Sequence, residues 1–349
     1  MSSTASNIVT SPARQNRVTL RKTVVSCLAL AIALLLSIVL MSLIGSEQLP
    51  ARASLCALAS FGTASCGLTR DQFDILFQIR LPRILLAAAV GGSLATAGAA
   101  YQALLRNPLA EPYLLGISNG AAVGTMIALV FFGASEWTRP FLAFTGALLA
   151  TLAVYRLARG RAGATPERLI LAGVIVTTFL SSVIVFVTTL MDATRIRSFT
   201  FWLLGDLSGT SKALLPVAIT IAIVGTLALT LNARSLNLLM LGERDAFDLG
   251  VEVGRVRVVV FVVASLLVGS SVAASGSVGY VGLVVPHLAR LSLGSDNRIS
   301  IPAAALGGAL FVIVADTVAR TIIAPRELPV GAITALIGAP LFIYLLKRA

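Results

Sequence analysis

Ten stretches of this sequence are each apolar over roughly the length that crosses a bilayer. They fall near residues 23–44, 81–105, 114–133, 140–157, 168–191, 213–232, 256–274, 278–293, 301–323 and 329–346. Hydrocarbon offers the backbone no water to bond to, so runs of this kind fold as helices that satisfy their own amides. The expected fold is therefore an all-α polytopic membrane protein. Composition closes off a soluble alternative, since 57% of residues are hydrophobic and only 12% charged, where a soluble domain carries about a quarter charged. The span at 278–293 is short and contains Pro286, which predicts a tilted or broken helix.

Residues 1–22 are polar, with Arg14, Arg17, Arg21 and Lys22 and no acid, and read as a disordered cytoplasmic tail. The rest, 23–349, reads as a single transmembrane domain. The first apolar run is longer than the hydrophobic core of a signal peptide, about 7–15 residues, so it is taken as a span and not as a cleaved leader. The net charge of +12 invites a nucleic-acid reading, but no basic cluster interleaved with aromatics supports it. Sidedness explains the excess. With the N-terminus inside, 17 of the 27 Lys and Arg residues face the cytoplasm, which places both termini there. None of the three lysines follows a glycine, so the G-x-x-x-x-G-K-[ST] phosphate loop is absent and the chain cannot bind a nucleotide in that way.

Small residues cluster within the spans. Gly91, Ala95 and Ala99 share one face of Ala87–Ala100, and Ala303–Ala309 is similar, which marks packed helix interfaces. The stretch 232–257 differs from everything around it, because it holds eight charged residues between apolar spans. Leu238, Leu239, Leu241, Phe247 and Leu249 recur within it at helical spacing, punctuated by Gly242, Gly250 and Gly254. Two short amphipathic helices on the aqueous surface are predicted there.

Several chemistries can be weighed residue by residue. Gly116-Ile117-Ser118-Asn119-Gly120 matches the G-x-S-x-G pattern, with His287 the sole histidine to serve as its base. Ser118 lies at the start of a span and not at a strand-to-helix elbow, and no aspartate is placed to orient the histidine. A resident metal is not expected, for one histidine and three scattered cysteines form no ligand cluster, and no cofactor is expected either. Cys56 and Cys66 share the outer loop and are either disulfide-bonded or free thiols. Asp316 is the main acid inside a span, and Arg320 one turn on makes a structural ion pair the simpler reading than ion-coupled transport.

Three stretches carry a resemblance. They are Arg80-Leu81-Pro82-Arg83; Arg106-Asn107-Pro108-Leu109-Ala110-Glu111-Pro112 with the Leu114–Gly120 segment after it; and Gly276–Arg290 with Glu327-Leu328-Pro329-Val330-Gly331. In wording, order and spacing they resemble the permease subunits of ABC importers for iron chelates, haem and vitamin B12. The resemblance covers about residues 24 to 347. It implies ten transmembrane helices per subunit, a second copy of the chain, two copies of a separate cytoplasmic ATPase and a periplasmic binding protein that delivers the metal chelate. It implies that 232–257 couples to the ATPase, with Leu241, Gly242, Glu243, Ala246, Leu249 and Gly250 at the matching positions. It places Arg80, Arg83 and Arg320 at the binding-protein docking face, and Asn107 and Leu109 in a cytoplasmic gate. Thr165-Pro166 matches a second gate element less well. The fifth span would line the path, and Arg195–Thr210 would shape its outer mouth. Faint echoes, Leu115-Gly116-x-Ser118-Asn119 against Leu293-Gly294-Ser295-x-Asn297, raise an inverted repeat of helices 2–5 and 7–10 as an expectation.

The sequence reading is therefore a non-enzymatic, multi-pass permease of the cell inner membrane that moves a ferric siderophore, haem or cobalamin inward. An ion-coupled secondary transporter is the alternative, and an intramembrane serine hydrolase is a third class.

Overall fold

The computed structural model describes residues 20–132, 137–160, 163–209 and 213–347. The tail up to residue 19, together with Thr210, Lys212 and Arg348, lies outside the described residues. Helix α1 (Leu20–Leu43) is followed by the short α2 (Ala51–Ala59). Next, α3 (Arg70–Asp74) runs through a π turn, Ile75–Arg80, into α4 (Leu81–Leu104). Then come α5 (Ile117–Ile127), extended by a π turn to Phe132, and α6 (Thr138–Ala158). A two-residue ribbon of β1 (Arg159–Gly160) and β2 (Gly163–Ala164) leads into α7 (Pro166–Thr188). The remainder is α8 (Ala193–Leu203), α9 (Leu214–Leu231), α10 (Ala233–Leu241), α11 (Glu243–Asp248), α12 (Val253–Ser275), α13 (Val281–Leu293), α14 (Asn297–Thr321) and α15 (Val330–Leu346).

Among the described residues, seven helices are long and apolar enough to cross a membrane, and three shorter apolar helices lie at the other expected spans. The ten-helix, all-α expectation therefore holds. Burial is uneven. The span containing α4 is 83% buried over its most apolar window, while that of α1 is 0% buried, so α4 is the central post and α1 faces outward. Around α4 stand α14, α12, α13 and α9.

Small residues make that crowding feasible. A Cβ on Gly91 would fall on the carbonyl of Gly308 in α14, and one on Gly98 would fall on the carbonyl of Gly282 in α13. Backbones that touch maximise dispersion in a solvent where burying apolar surface yields little. The Gly91–Gly308 contact joins the two stretches whose small-residue faces are legible in the sequence, whereas Gly282 lies outside both.

Two helices depart from expectation, and each has a local cause. The second span begins at Arg70, eleven residues upstream of position 81, because Thr69 and Gln72 form a reciprocal capping box. The π turn directly ahead of Pro82 gives the backbone room where a proline ring would crowd the preceding turn. In the eighth span the helix continues through Pro286, and the break lies upstream at 276–280, ending in Tyr280 at φ 67°. Pro286 has no N–H for the carbonyl of Gly282. Gln102 of α4 replaces it, donating from Nε2 to the carbonyls of Gly282 at 3.4 Å and Leu283 at 3.3 Å.

The unwound segment meets a second one. Tyr113 donates its hydroxyl to the Val278 carbonyl at 2.9 Å and accepts from the Val278 amide at 3.0 Å, and Glu111 accepts from the Tyr280 amide at 3.1 Å. Irregular backbone inside a membrane protein survives where such partners exist. The two sequence echoes open α5 and α14, the second helix of one half and the third of the other, so they do not fall on corresponding members of a repeat. On the outer side Cys56 and Cys66 are joined as a disulfide, closing the loop beneath which Ala57, Leu68 and Leu76 are buried.

Replacing Gly98 by leucine is expected to force α4 from α13 and to cost about 3 kcal/mol or more. Thermal unfolding in detergent should show a clearly lowered midpoint; a midpoint equal to that of the unmodified chain contradicts this packing.

Candidate functional site

The charged stretch folds as expected into two short helices, α10 and α11, set at an angle on one end of the bundle. Gly242 forms the corner at φ 143°, and Gly250 closes α11 at φ 83°; both conformations are strained for any residue with a β-carbon. One face of the pair is anchored, with Ala233, Leu236, Leu239 and Ala246 buried. The opposite face leaves Leu241, Phe247 and Leu249 exposed by 66%, 70% and 60%. Three large apolar side chains held in water among charges form the kind of patch that a protein partner covers.

Polar bolts hold the elbow. Asn237 of α10 donates to Asp296 at 2.7 Å and accepts from the backbone and side-chain amides of Asn297, both at 2.9 Å. Burial pushes the Asp296 carboxyl up, but hydrogen bonds from Arg298 and Asn237 outweigh it and hold the group below the usual carboxylate range. Glu243 turns back toward the bundle and accepts from Arg257 of α12 at 2.5 Å. Of the residues expected to couple, Leu241 and Leu249 are on the open face and Gly242 and Gly250 shape it. Ala246 and Glu243 serve the anchored side. Phe247 and Asn237 complete the site. Phe247 was visible as a large apolar residue among charges, whereas nothing near Asn237 in the sequence signals its partners some sixty positions away.

The loop 105–111 lies beside this elbow. Asn107 caps it by accepting from the Leu109 amide at 2.9 Å, and its own carbonyl takes the Ala110 amide at 3.1 Å. Leu109 is exposed. Thr165 and Pro166 are the N-cap and first residue of α7. Along α7 the hydroxyls of Thr178 and Ser182 are exposed and bonded back to their own helix, and Asn119 of α5 reaches the Thr177 carbonyl and Ser181. Past α8, residues 204–209 meet the end of α12 and the start of α15: Asp206 N–H donates to the Ser275 carbonyl, and the Gly205 carbonyl accepts from the Val330 amide.

At the opposite end the three arginines expected to dock a partner come together but point inward. Arg80, Arg83 and Arg320 are 4%, 7% and 7% exposed. Arg83 holds Asp316 through Nε and Nη2 at 2.9–3.0 Å and Glu327 through Nη1 at 2.7 Å. Arg80 donates to the carbonyls of Ser42, Leu43 and Glu47 at the end of α1, and Arg320 donates to Met41. In this structure their charge is engaged in joining α1, α4 and α14, a framing role beside which docking of an arriving protein stays an expectation. Exposed charges at this end include Glu47, Arg52, Arg70, Asp71, Asp74, Arg326 and Glu327. For Asp316 the main partner is Arg83, at 2.9 Å, and not Arg320, at 3.8 Å.

The hydrolase constellation does not assemble. His287 lies edge-on to Phe342 of α15, Ser118 is buried in α5, and among the described residues no hydrogen bond joins them. Among the described residues no group of three or more His, Cys, Asp or Glu side chains could hold a metal.

The FecCD transport family matches residues 30–348. The cobalamin import system permease protein BtuC of Halobacterium salinarum is 42% identical over 273 residues, covering 78% of this chain and 73% of that protein. The hemin transport system permease protein HmuU of Yersinia pestis is 40% identical over 295 residues, covering 83% and 88%. A solved structure described as an inward-facing conformation of a metal-chelate type ABC transporter superposes with a TM-score of 0.80 at 30% identity, covering 94% of this chain and 100% of that one.

The outer cluster separates two kinds of ion pair. Arg83→Ala strands the 1%-exposed Asp316 without its main partner and should cost about 3–5 kcal/mol. Glu327→Gln, at a side chain 46% exposed, should cost less than about 1 kcal/mol. Equal losses of thermal stability in the two variants contradict this assignment.

Proposed function

This chain belongs to the FecCD transport family, and from that premise we infer that it is the permeation subunit of an ATP-driven importer for bulky metal chelates of the ferric-siderophore, haem and corrinoid kind. It is a multi-pass protein of the inner membrane. Two copies would enclose the path, with an ATPase under each α10–α11 elbow and a periplasmic binding protein at the opposite end. Residues 23–349 act as one transmembrane domain, of which 232–257 is the coupling segment.

The observation that carries this reading is the elbow itself. Leu241, Phe247 and Leu249 stay exposed in water while Asn237, Glu243 and Ala246 tie the same short helices to α12 and α14. A motor that grips such a patch moves the helices behind it as rigid bodies. Energy must come from outside, since the sequence has no phosphate loop. The loop holding Asn107 and Leu109 would serve as the cytoplasmic gate, and beyond its first turn, which carries Glu167 and Arg168, α7 offers scattered hydroxyls and no charge to a large cargo. A bare ion would call for fixed polar ligands instead.

Ion-coupled transport is less well supported, because the buried carboxyl of Asp316 is held by Arg83 and Arg320 and is not open to a pathway. The relatives named for cobalamin and hemin support a chelate as cargo without choosing between those two.

Tagged chain purified in mild detergent from cells expressing the neighbouring genes should bring down an ATPase in about equimolar amount. Phe247→Glu combined with Leu249→Glu should reduce the bound ATPase about tenfold while the yield of the permease holds within about twofold. Absence of any ATPase from the unmodified sample, or undiminished ATPase on the variant, would overturn the assignment.

A further inference from the structure

We propose that Arg106 and Glu243 form the joint through which the α10–α11 elbow moves the gate loop, so that Arg106 is a positioning residue for transport. This rests on the reading of the elbow as the ATPase-coupling element and adds the residue pair that carries its motion onward.

Glu243 is shared unequally. On one side it accepts from Arg257 at 2.5 Å, and that guanidinium is fixed, with its side chain 9% exposed in the body of α12. On the other side Arg106 Nη2 stands 4.0 Å from the same Oε1, and both side chains are 39% exposed. The first contact is a hinge pin and the second sits at the edge of contact. A small displacement of α11 either closes the Arg106 pair into a hydrogen bond or opens it to water, because a charge-assisted bond needs a heavy-atom distance of about 2.7–2.9 Å.

Arg106 is built to pass such a displacement on. It immediately precedes Asn107-Pro108-Leu109 and adopts φ 49°, a conformation that a residue with a β-carbon takes only when its surroundings hold it there. The loop that follows is knitted by the Asn107 side chain to the Leu109 amide and by the Asn107 carbonyl to the Ala110 amide. It therefore moves as a unit with Arg106. Just beyond, Glu111 and Tyr113 hold the unwound segment at 278–280, so a shift of the loop reaches the broken eighth span. Glu167, in the first turn of α7, is exposed and interacts electrostatically with both Arg106 and Arg257. Four segments thus share two arginines and two carboxylates: the gate loop, α11, α12 and the start of α7.

The test uses the full complex in proteoliposomes, with haem and a cobalamin each offered as cargo and with ATP hydrolysis and uptake read in parallel. Arg106→Gln should keep the ATPase bound and its hydrolysis within about twofold, while uptake falls about tenfold, so that more ATP is spent per molecule moved. Arg106→Lys, which retains the charge, should recover a substantial part of the uptake. The double variant Arg106→Gln with Glu243→Gln should be no worse than the poorer single variant, as expected for two groups acting through one contact. Uptake by Arg106→Gln within about twofold of the unmodified complex overturns the joint. Dissociation of the ATPase from that variant also overturns it, by making Arg106 a docking residue, as does failure of lysine to improve on glutamine. A wild-type complex that holds no ATPase defeats the coupling reading itself and is seen before any variant is made.

Discussion

The contact on which the rest of this molecule depends is the glycine-mediated approach of α4 to α14 and α13. In lipid, helices gain little from hiding apolar surface, so close backbone contact and satisfied polar groups must hold them together. At Gly91–Gly308 and Gly98–Gly282 there is no room for even a methyl group. That closeness brings Gln102 within reach of the carbonyls freed by Pro286, and it brings Arg83 within reach of Asp316. One post therefore carries an ion cluster at its outer end and, just past its inner end, the arginine beside the α10–α11 elbow.

The two ends differ in how their charges are used. At the outer end a carboxylate that is 1% exposed is enclosed by Arg83 and Arg320, with Glu327 on the rim. Such a buried pair is costly to break from one side, and so it fixes the geometry of α1, α4 and α14. At the inner end Arg106 and Glu243 are half-exposed, and the contact between them, at 4.0 Å, is only just made. Rigidity outside and adjustable contacts inside suit a subunit whose driving force is applied from the cytoplasm.

Much of the fold was legible because lipid imposes a simple rule on sequence. Each apolar run of the right length became a helix, and the small-residue faces of Ala87–Ala100 and Ala303–Ala309 became the central crossing. The elbow was legible from glycines and charges interrupting an apolar chain. What escaped depended on partners distant in sequence. The partners of Arg80, Arg83 and Arg320 within the chain were not legible, because the acceptors are the end of α1 and an aspartate 233 residues from Arg83. The position of the break in the eighth span was likewise hidden, because Pro286 is rescued by Gln102, which lies 180 positions before the Gly282 whose carbonyl it bonds. Local capping by Thr69 and Gln72, which lengthens the second helix outward, was readable in principle as a T-x-x-Q box.

The measurement that bears most directly on the claim of an externally powered permease is cargo uptake by purified protein in liposomes under two driving forces. With the co-purified ATPase present and ATP supplied on its side, haem or a cobalamin delivered by its binding protein should accumulate, and a proton or sodium gradient imposed on the permease alone should move neither. Accumulation by the permease alone under an ion gradient, with ATP and the ATPase making no difference, would contradict it.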